Sequence, residues 1–229
     1  MTVRNSVIAN NTGGGFSMGG GTVNIGNSIV AGNTGGFTNF AIFAGTLTSA
    51  GYNLIGDNSN ATAQFPAGNP NGSNDIVGTS GSPIIAQLAP LGNYGGTTPT
   101  RALCTASGVP NVSCTGASPA IDKGSAVAGV FFDGRGVVRP YDDVSKANAA
   151  SGNGADIGAF ELIATKITGW GLNNVGQIGD NTITNRSLPT QIFGGFSDIA
   201  AIEGGYNHAL GLRSNGTVLA WGFNGFGQL

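Results

Sequence analysis

Charge is scarce in this chain. Of 229 residues, 9 are Lys or Arg and 11 are Asp or Glu, giving a net charge of −2 and a pI near 5.1. That excludes the basic field needed to hold a phosphate backbone, and no local Lys/Arg cluster supplies one, so nucleic acid is not an expected partner. Histidine occurs once, as His208. A histidine-rich metal site therefore cannot form, and a Ser/His/Asp triad would have to recruit this one residue. Two cysteines with one distant histidine leave no zinc site. No apolar run approaches the roughly 18 to 20 residues that a membrane helix requires. The opening MTVRNSVIANN also lacks the apolar core of a secretory signal. A secreted parent protein would carry its signal upstream of Met1.

Glycine, by contrast, contributes 42 residues, and 40% of the chain is hydrophobic. Charge-driven disorder is excluded, because it needs low hydrophobicity and high net charge together. Short apolar runs between Gly-, Asn-, Thr- and Ser-rich segments predict short strands joined by tight turns, so the chain reads as all-β. The word GGGFSMGGG at Gly13–Gly21 is expected to be turns between strands. It lacks the Lys-Ser or Lys-Thr and the following helix of a phosphate loop.

Two repeats organise the chain. NSVIANNTGG at Asn5–Gly14 returns as NSIVAGNTGG at Asn27–Gly36, an offset of 22, and NLIGDN at Asn53–Asn58 is a looser third copy, 25 further on. This spacing predicts a parallel solenoid in which Val7–Ile8, Ile29–Val30 and Leu54–Ile55 stack in successive layers, one of each pair facing the lumen. Asn11, Asn33 and Asn58 would fall in register at a turn, where an Asn side chain can hydrogen-bond along the stack. Parts of Gly36–Phe65 and Gly68–Ser82 stay without assignment to a coil. At the other end, WGLNNVGQI from Trp170 returns 51 residues later as WGFNGFGQL from Trp221. A repeat of this period implies an array such as a propeller, continuing past Leu229.

The words NSIVAGNT at Asn27, GYNLIGDNS at Gly51, TPTRAL at Thr98, SPAID at Ser118, DGRGVVRP at Asp133 and DIGAFE at Asp156 resemble, in order, the end of the bacterial choice-of-anchor Q type of β-helix protein. The resemblance implies a secreted or surface right-handed parallel β-helix, with coils and a terminal cap over residues 1–162 and the final coil ending at DIGAFE. Within the second domain, expected at 163–229, residues 167–229 resemble a regulator-of-chromosome-condensation type repeat, on WGLNNVGQIGDNT, NRSLPTQI, IAAIEGGYNHALGLRSNGTVLAWG and GQL. It implies a single four-stranded propeller blade, with unpaired edges, and the start of a second. IAAIEGG, HALGLRSNG and TVLAWG read directly as a β-meander. Trp170, His208 and Trp221 are its expected core residues, the histidine taking a hydrogen bond inside the blade.

Candidate chemistry concentrates before the boundary expected at Leu162–Lys166. Asp122, Asp133, Arg135, Arg139, Asp142, Asp143, Asp156 and Glu161 form a loose charged group. The favoured reading is structural: Asp122, Asp133, Asp156 and Glu161, partly buried where the last coil closes, paired with Arg135 and Arg139 and with backbone amides. The competing readings are a glycoside-cleaving pair of carboxylates and a calcium ion held by Asp142, Asp143 and Asp156. Neither has supporting spacing, so no catalytic, cofactor or metal residue is assigned. Cys104 and Cys114 flank a turn and either form a disulfide, implying an oxidising compartment, or remain buried thiols. The expected function is a non-enzymatic extracellular or cell-surface module for adhesion or ligand binding. Its partner would be a protein or glycan, with Phe37, Phe40, Tyr52 and Tyr94 as exposed aromatics for sugar contact. A carbohydrate-active β-helix enzyme is the alternative. A guanine-nucleotide exchange propeller has less in its favour, for want of a basic surface.

Overall fold

A computed structural model describes residues 1–94, 97–126, 128–143, 146–163, 167–192, 199–213, 216–227 and 229. No helix occurs among them. The chain divides into two compact units, 1–162 and 163–229. Of the boundary segment, residues 164–166 lie outside the described residues.

The first unit opens with strands β1 (Thr2–Arg4), β2 (Val7–Ala9), β3 (Phe16–Gly26), β4 (Ile29–Ala31), β5 (Phe40–Ser49), β6 (Leu54–Ile55) and β7 (Ile76–Val77). They form two parallel sheets, β1-β3-β5 and β2-β4-β6-β7, a solenoid of about three turns. The register stacks Val7, Ile29, Leu54 and Ile76 in one column and Ile8, Val30, Ile55 and Val77 in the next. The fourth rung, NDIVG, sits in the segment the sequence leaves unassigned, because Asp75 replaces the Asn or Ser of the earlier copies.

A corner precedes each rung, and its backbone explains the repeat. Asn5, Asn27, Tyr52 and Asn74 occupy equivalent positions with φ between 46° and 60°. This is the left-handed region that Asn tolerates best among residues with a side chain. The next residue supplies an acceptor to the turn before it. Ser6 N–H donates to Ser28 Oγ, Ser28 N–H to Asn53 Oδ1, and Asn53 N–H to Asp75 Oδ1 at 2.8 Å. At the opposite corner Asn11 donates to Asn33 Oδ1 through both its backbone and side-chain N–H. Asn58 leaves that ladder and donates to Phe65 O. The expected three-Asn stack is thus a pair, because the longer chain excursion after Asn58 needs its own anchor.

One residue of each pair faces the lumen as expected, and from the second rung on the outer column is buried as well. Val30, Ile55 and Val77 pack in the lumen with Val23, Ile25, Leu47, Phe40 and Phe65. Ile29, Leu54 and Ile76 pack outward against Ala86, Ala102, Leu103, Ala120, Ile121, Ile157 and Phe160. Each fully buried Ile or Leu contributes roughly 1.5–3 kcal/mol. Residues 78–162 therefore do not add further coils. Among their described residues there is no strand beyond isolated bridges. DIGAFE is not a final coil but returns to the beginning of the solenoid, where Gly158 N–H donates to Asn27 O. A Cβ on Gly158 would lie 3.0 Å from Ile29 Cδ1 and 3.1 Å from Val7 Cγ2, so only glycine lets this backbone lie so close on the sheet.

The GGGFSMGGG word is also not purely a turn. β3 runs through Gly19–Gly21 and slips register there against β5, leaving Phe43 without a partner between Ile42 and Ala44. A bulge of this kind re-aims the extra side chain, and Phe43 is 66% exposed, edge-to-face on Phe37 at 5.2 Å.

Cys104 and Cys114 are disulfide-bonded and buried in the outer-face core. Closing a loop of 10 residues stabilises by about 2–3 kcal/mol in the chain-entropy picture. A Cys104→Ala/Cys114→Ala double variant is expected to lose at least that much by urea denaturation of the chain. An unchanged midpoint would show that the bridge does not constrain the unfolded state.

The second unit contains β8 (Thr168–Gly171), β9 (Arg186–Gln191), β10 (Ile199–Gly204), β11 (His208–Arg213) and β12 (Val218–Gly222). β10-β11-β12 is the antiparallel meander read from sequence. β8 and β9 pair antiparallel in a separate two-stranded sheet, so among the described residues the strands form two sheets and not one four-stranded blade.

Candidate functional site

The charged group before Leu162 is assembled by the returning chain, and its members come together from positions up to 39 residues apart. Arg139 is buried, and its Nε lies 2.7 Å from Glu161 Oε2. It also donates to Gly158 O, Asp156 O and Phe160 O. Glu161 accepts the N–H of Tyr141 on Oε1 and that of Asp156 on Oε2. Arg135 pairs with Asp133 Oδ2 at 2.7 Å, donates to Glu161 O, and places its guanidinium 3.5 Å from the Phe160 ring centroid. Asp133 accepts Arg135 N–H and Val137 N–H on Oδ1 and Glu161 N–H on Oδ2. Asp156 receives Asp122 N–H on Oδ1 and Leu162 N–H on Oδ2.

Burial first, then the nearby Glu161 charge, pushes the Asp156 carboxyl well above the ordinary range. Burial likewise raises Glu161 against the pull of Arg139. For Asp133 burial is outweighed by the Glu161 amide and Arg135, which hold it below its usual value. Asp122 is the exception in this network. Its Oδ1 accepts Asp143 N–H at 3.3 Å, while Oδ2 is buried with no partner. Burial, and then the charges of Asp143 and Asp142, push it up to about 6.

Chemically these acids are sealed. Of the eight carboxylate oxygens of Asp122, Asp133, Asp156 and Glu161, all but Asp122 Oδ2 are engaged within the fold. Calcium does not fit the trio proposed for it: both oxygens of Asp156 are taken by backbone amides. Among the described residues no group of three or more acidic, His or Cys side chains is placed to hold a metal ion.

The aromatics expected to be exposed divide. Phe37 is 49% exposed, but Phe40 is fully buried, stacked on Phe65 at 5.2 Å because β5 turns it into the lumen. The Tyr52 hydroxyl donates to Ala150 O, tying a later loop to the solenoid, and the Tyr94 hydroxyl donates to Pro90 O within its own loop.

A cavity of about 440 Å³ opens on the first unit, between the corner at Asn10, Gly32 and Asp57, the ledge Pro83–Leu88, and Ser113 and Thr115 of the disulfide loop. Sequence reading missed it, since its walls come from five separate segments. It missed Asp75 as well, which burial raises even though Ser49 and Asn53 donate to it.

In the second unit Asn173 is the organising residue. Its Oδ1 accepts Ile178 N–H, and its Nδ2 reaches Asp180 Oδ1 and the carbonyls of Thr182 and Thr184. The hydroxyl of Thr182, and then Arg186, hold Asp180 down to about 2. Asn224, 51 positions later, builds the same turn: its Oδ1 accepts Leu229 N–H, and Gly227 N–H donates to Asn224 O as Gly176 N–H does to Asn173 O. Recurrence of Asn in both copies was the available signal.

The three expected core residues behave differently. Trp221 Nε1 donates to Gln177 O, and a Cβ on Gly179 would lie 2.6 Å from that nitrogen, so the loop packs directly on the indole. His208 lies over Gly205, whose added Cβ would meet the ring at 2.2 Å. Trp170 is not a core residue here; it is 64% exposed, and no equivalent loop packs on it among the described residues.

Comparison with known proteins concerns mainly this second unit. Residues 168–212 match a family model described as Regulator of chromosome condensation (RCC1) repeat, and residues 197–228 match a second model of that description. The chain is similar to the Protein RCC2 homolog of Danio rerio, 41% identical over 75 residues, which is 31% of this chain and 15% of that protein. It thus spans only a small part of the curated relative's length. No solved structure matches the chain. Residues 168–228 thus match RCC1 repeat models, and in the same chain they follow a short β-solenoid.

Proposed function

We propose that this chain is part of a non-enzymatic, secreted or cell-surface protein in which both repeat units present rigid surfaces to a glycan or protein ligand. The observation that carries this reading is the sealing of Asp122, Asp133, Asp156 and Glu161: these four acids are buried and engaged with arginines and backbone amides, so none of them is presented to a substrate for hydrolysis. The buried Cys104–Cys114 bridge supports an oxidising compartment. The ordered words from Asn27 to Glu161 favour a choice-of-anchor Q relationship for the solenoid, and parallel rungs agree with it. The RCC1 repeats favour a propeller for the second unit, the β10-β11-β12 meander forming part of a blade.

The test is capture followed by product analysis. Immobilised full chain, presented with polysaccharide panels and surface proteins, is expected to retain a ligand and leave its chain length unchanged. New reducing or unsaturated ends that disappear on Asp57→Ala would replace binding by catalysis. Retention of no ligand of either class would overturn the reading outright.

A further inference from the structure

The cavity at the Asn10–Gly32–Asp57 corner has the chemistry of a site and not only its shape. Its lining contains no Lys, Arg or His, and one carboxylate, Asp57. The remaining polar groups are amides and hydroxyls, and Pro83, Ile84 and Ile85 form an apolar wall. Ile85 is 70% exposed, so its aliphatic side chain is available to a ligand at the cavity wall. Several polar groups there are left over from the fold. Asp57 Oδ1 accepts both N–H and O–H of Ser59, and Oδ2 has no partner among the described residues. The Thr38 hydroxyl is buried and unpartnered, which costs free energy unless a ligand or water completes it.

The backbone is shaped to hold these groups open. A Cβ on Gly32 would lie 2.2 Å from Asn10 Oδ1, so the glycine makes room for the amide. Asn10 and Gln87, both on the lining, have φ of 59° and 49°. The disulfide fixes the loop that contributes Ser113 and Thr115, and Thr115 donates to Gln87 Oε1 at 3.0 Å.

Anions are disfavoured by Asp57 and the missing cations. A purely apolar ligand would leave the amides and hydroxyls without partners. A sugar ring, with hydroxyls at its edge and an apolar C–H face, matches both walls. About 440 Å³ lies within the usual range for small-ligand sites and holds roughly one or two hexose units. We propose that this cavity is a subsite for the end of a neutral glycan, hydrogen-bonded by Asn10, Thr38 and Asp57 and packed on Ile85. The inference rests on the ligand-binding reading above and gives it a location and a ligand class.

Titration of the full chain with neutral gluco-, manno- and galacto-trisaccharides by calorimetry or saturation-transfer NMR tests it. At least one is expected to bind. Ile85→Trp, which fills the cavity from an exposed position, and Asp57→Ala should each weaken binding at least tenfold, the first at an unchanged urea midpoint and the second in a chain still folded by circular dichroism. Phe43→Ser, exposed but outside the lining, should have no effect. Binding that survives both cavity variants would place the glycan elsewhere, overturning the subsite while leaving the ligand-binding reading intact. If no trisaccharide binds, or if a peptide occupies the cavity instead, the glycan assignment falls.

Discussion

Replacing Arg139 with Ala is expected to destabilise the first unit by about 3–5 kcal/mol, the range for removing one partner of a buried ion pair. The guanidinium is buried against Glu161 at 2.7 Å and donates to three carbonyls of the DIGAFE segment. Without it, the buried Glu161 must either carry an unpaired charge or take up a proton, and those carbonyls lose their donor. Because the segment covers Ile29 and Val7, its release would expose the outer face of the solenoid as well. Arg139→Lys should recover only part of the loss, since an ammonium keeps the charge but not the planar fork. Urea unfolding of wild type and both variants measures the order wild type, Lys, Ala. Equal midpoints for all three would mean that the apolar cover alone holds the returning chain.

Asp122→Asn should raise stability at neutral pH. The side chain is 1% exposed, its Oδ2 has no partner, and its carboxyl titrates near 6 in the fold against an ordinary 3.8. The folded chain therefore holds this proton more tightly than the unfolded chain does between those values. The stabilisation is full below 3.8 and is lost as pH rises through 6. Asp156 and Glu161, also raised, act in the same direction. Asp133, held low, acts oppositely and loses its contribution as pH falls below 3.8. Stability should consequently be highest at about pH 4 and fall as pH rises toward 6.

Asparagine keeps the shape, tolerates the φ of 54° at this position, and carries no charge to desolvate. Allowing for solvent near the exposed Asp142, the expected gain is about 1–2 kcal/mol at pH 7.5 and almost nothing at pH 4. Urea midpoints measured across that interval decide it. A variant whose pH profile parallels wild type would show that Asp122 is already neutralised, or solvated, in the folded protein.

Much of the solenoid was legible because its information is local. The doublets Val7–Ile8, Ile29–Val30 and Leu54–Ile55 recur at nearly constant spacing, and the stacking of identical turns turns that spacing directly into register. The left-handed corner falls on Asn5, Asn27 and Asn74 but also on Tyr52, so residue type marks it only in part. The candidate cavity was illegible for the opposite reason: Asn10, Asp57, Ile85 and Thr115 share no sequence pattern, and only the covering of the solenoid by the later chain brings them to one place. Phe40 shows the same limit on a smaller scale. Nothing in its neighbourhood distinguishes it from Phe43, yet a register slip at Gly19–Gly21 goes with one ring in the lumen and the other in solvent.

By itself the sequence determined the all-β class, the parallel rungs, the β10-β11-β12 meander and the two repeat types, since each follows from periodicity over neighbouring residues. Tertiary structure alone decided that residues 78–162 cover the outer face of β2-β4-β6-β7 instead of winding further coils, and that Arg139 meets Glu161 there. An apolar doublet records that a strand must bury two faces, but not which distant segment will cover the second.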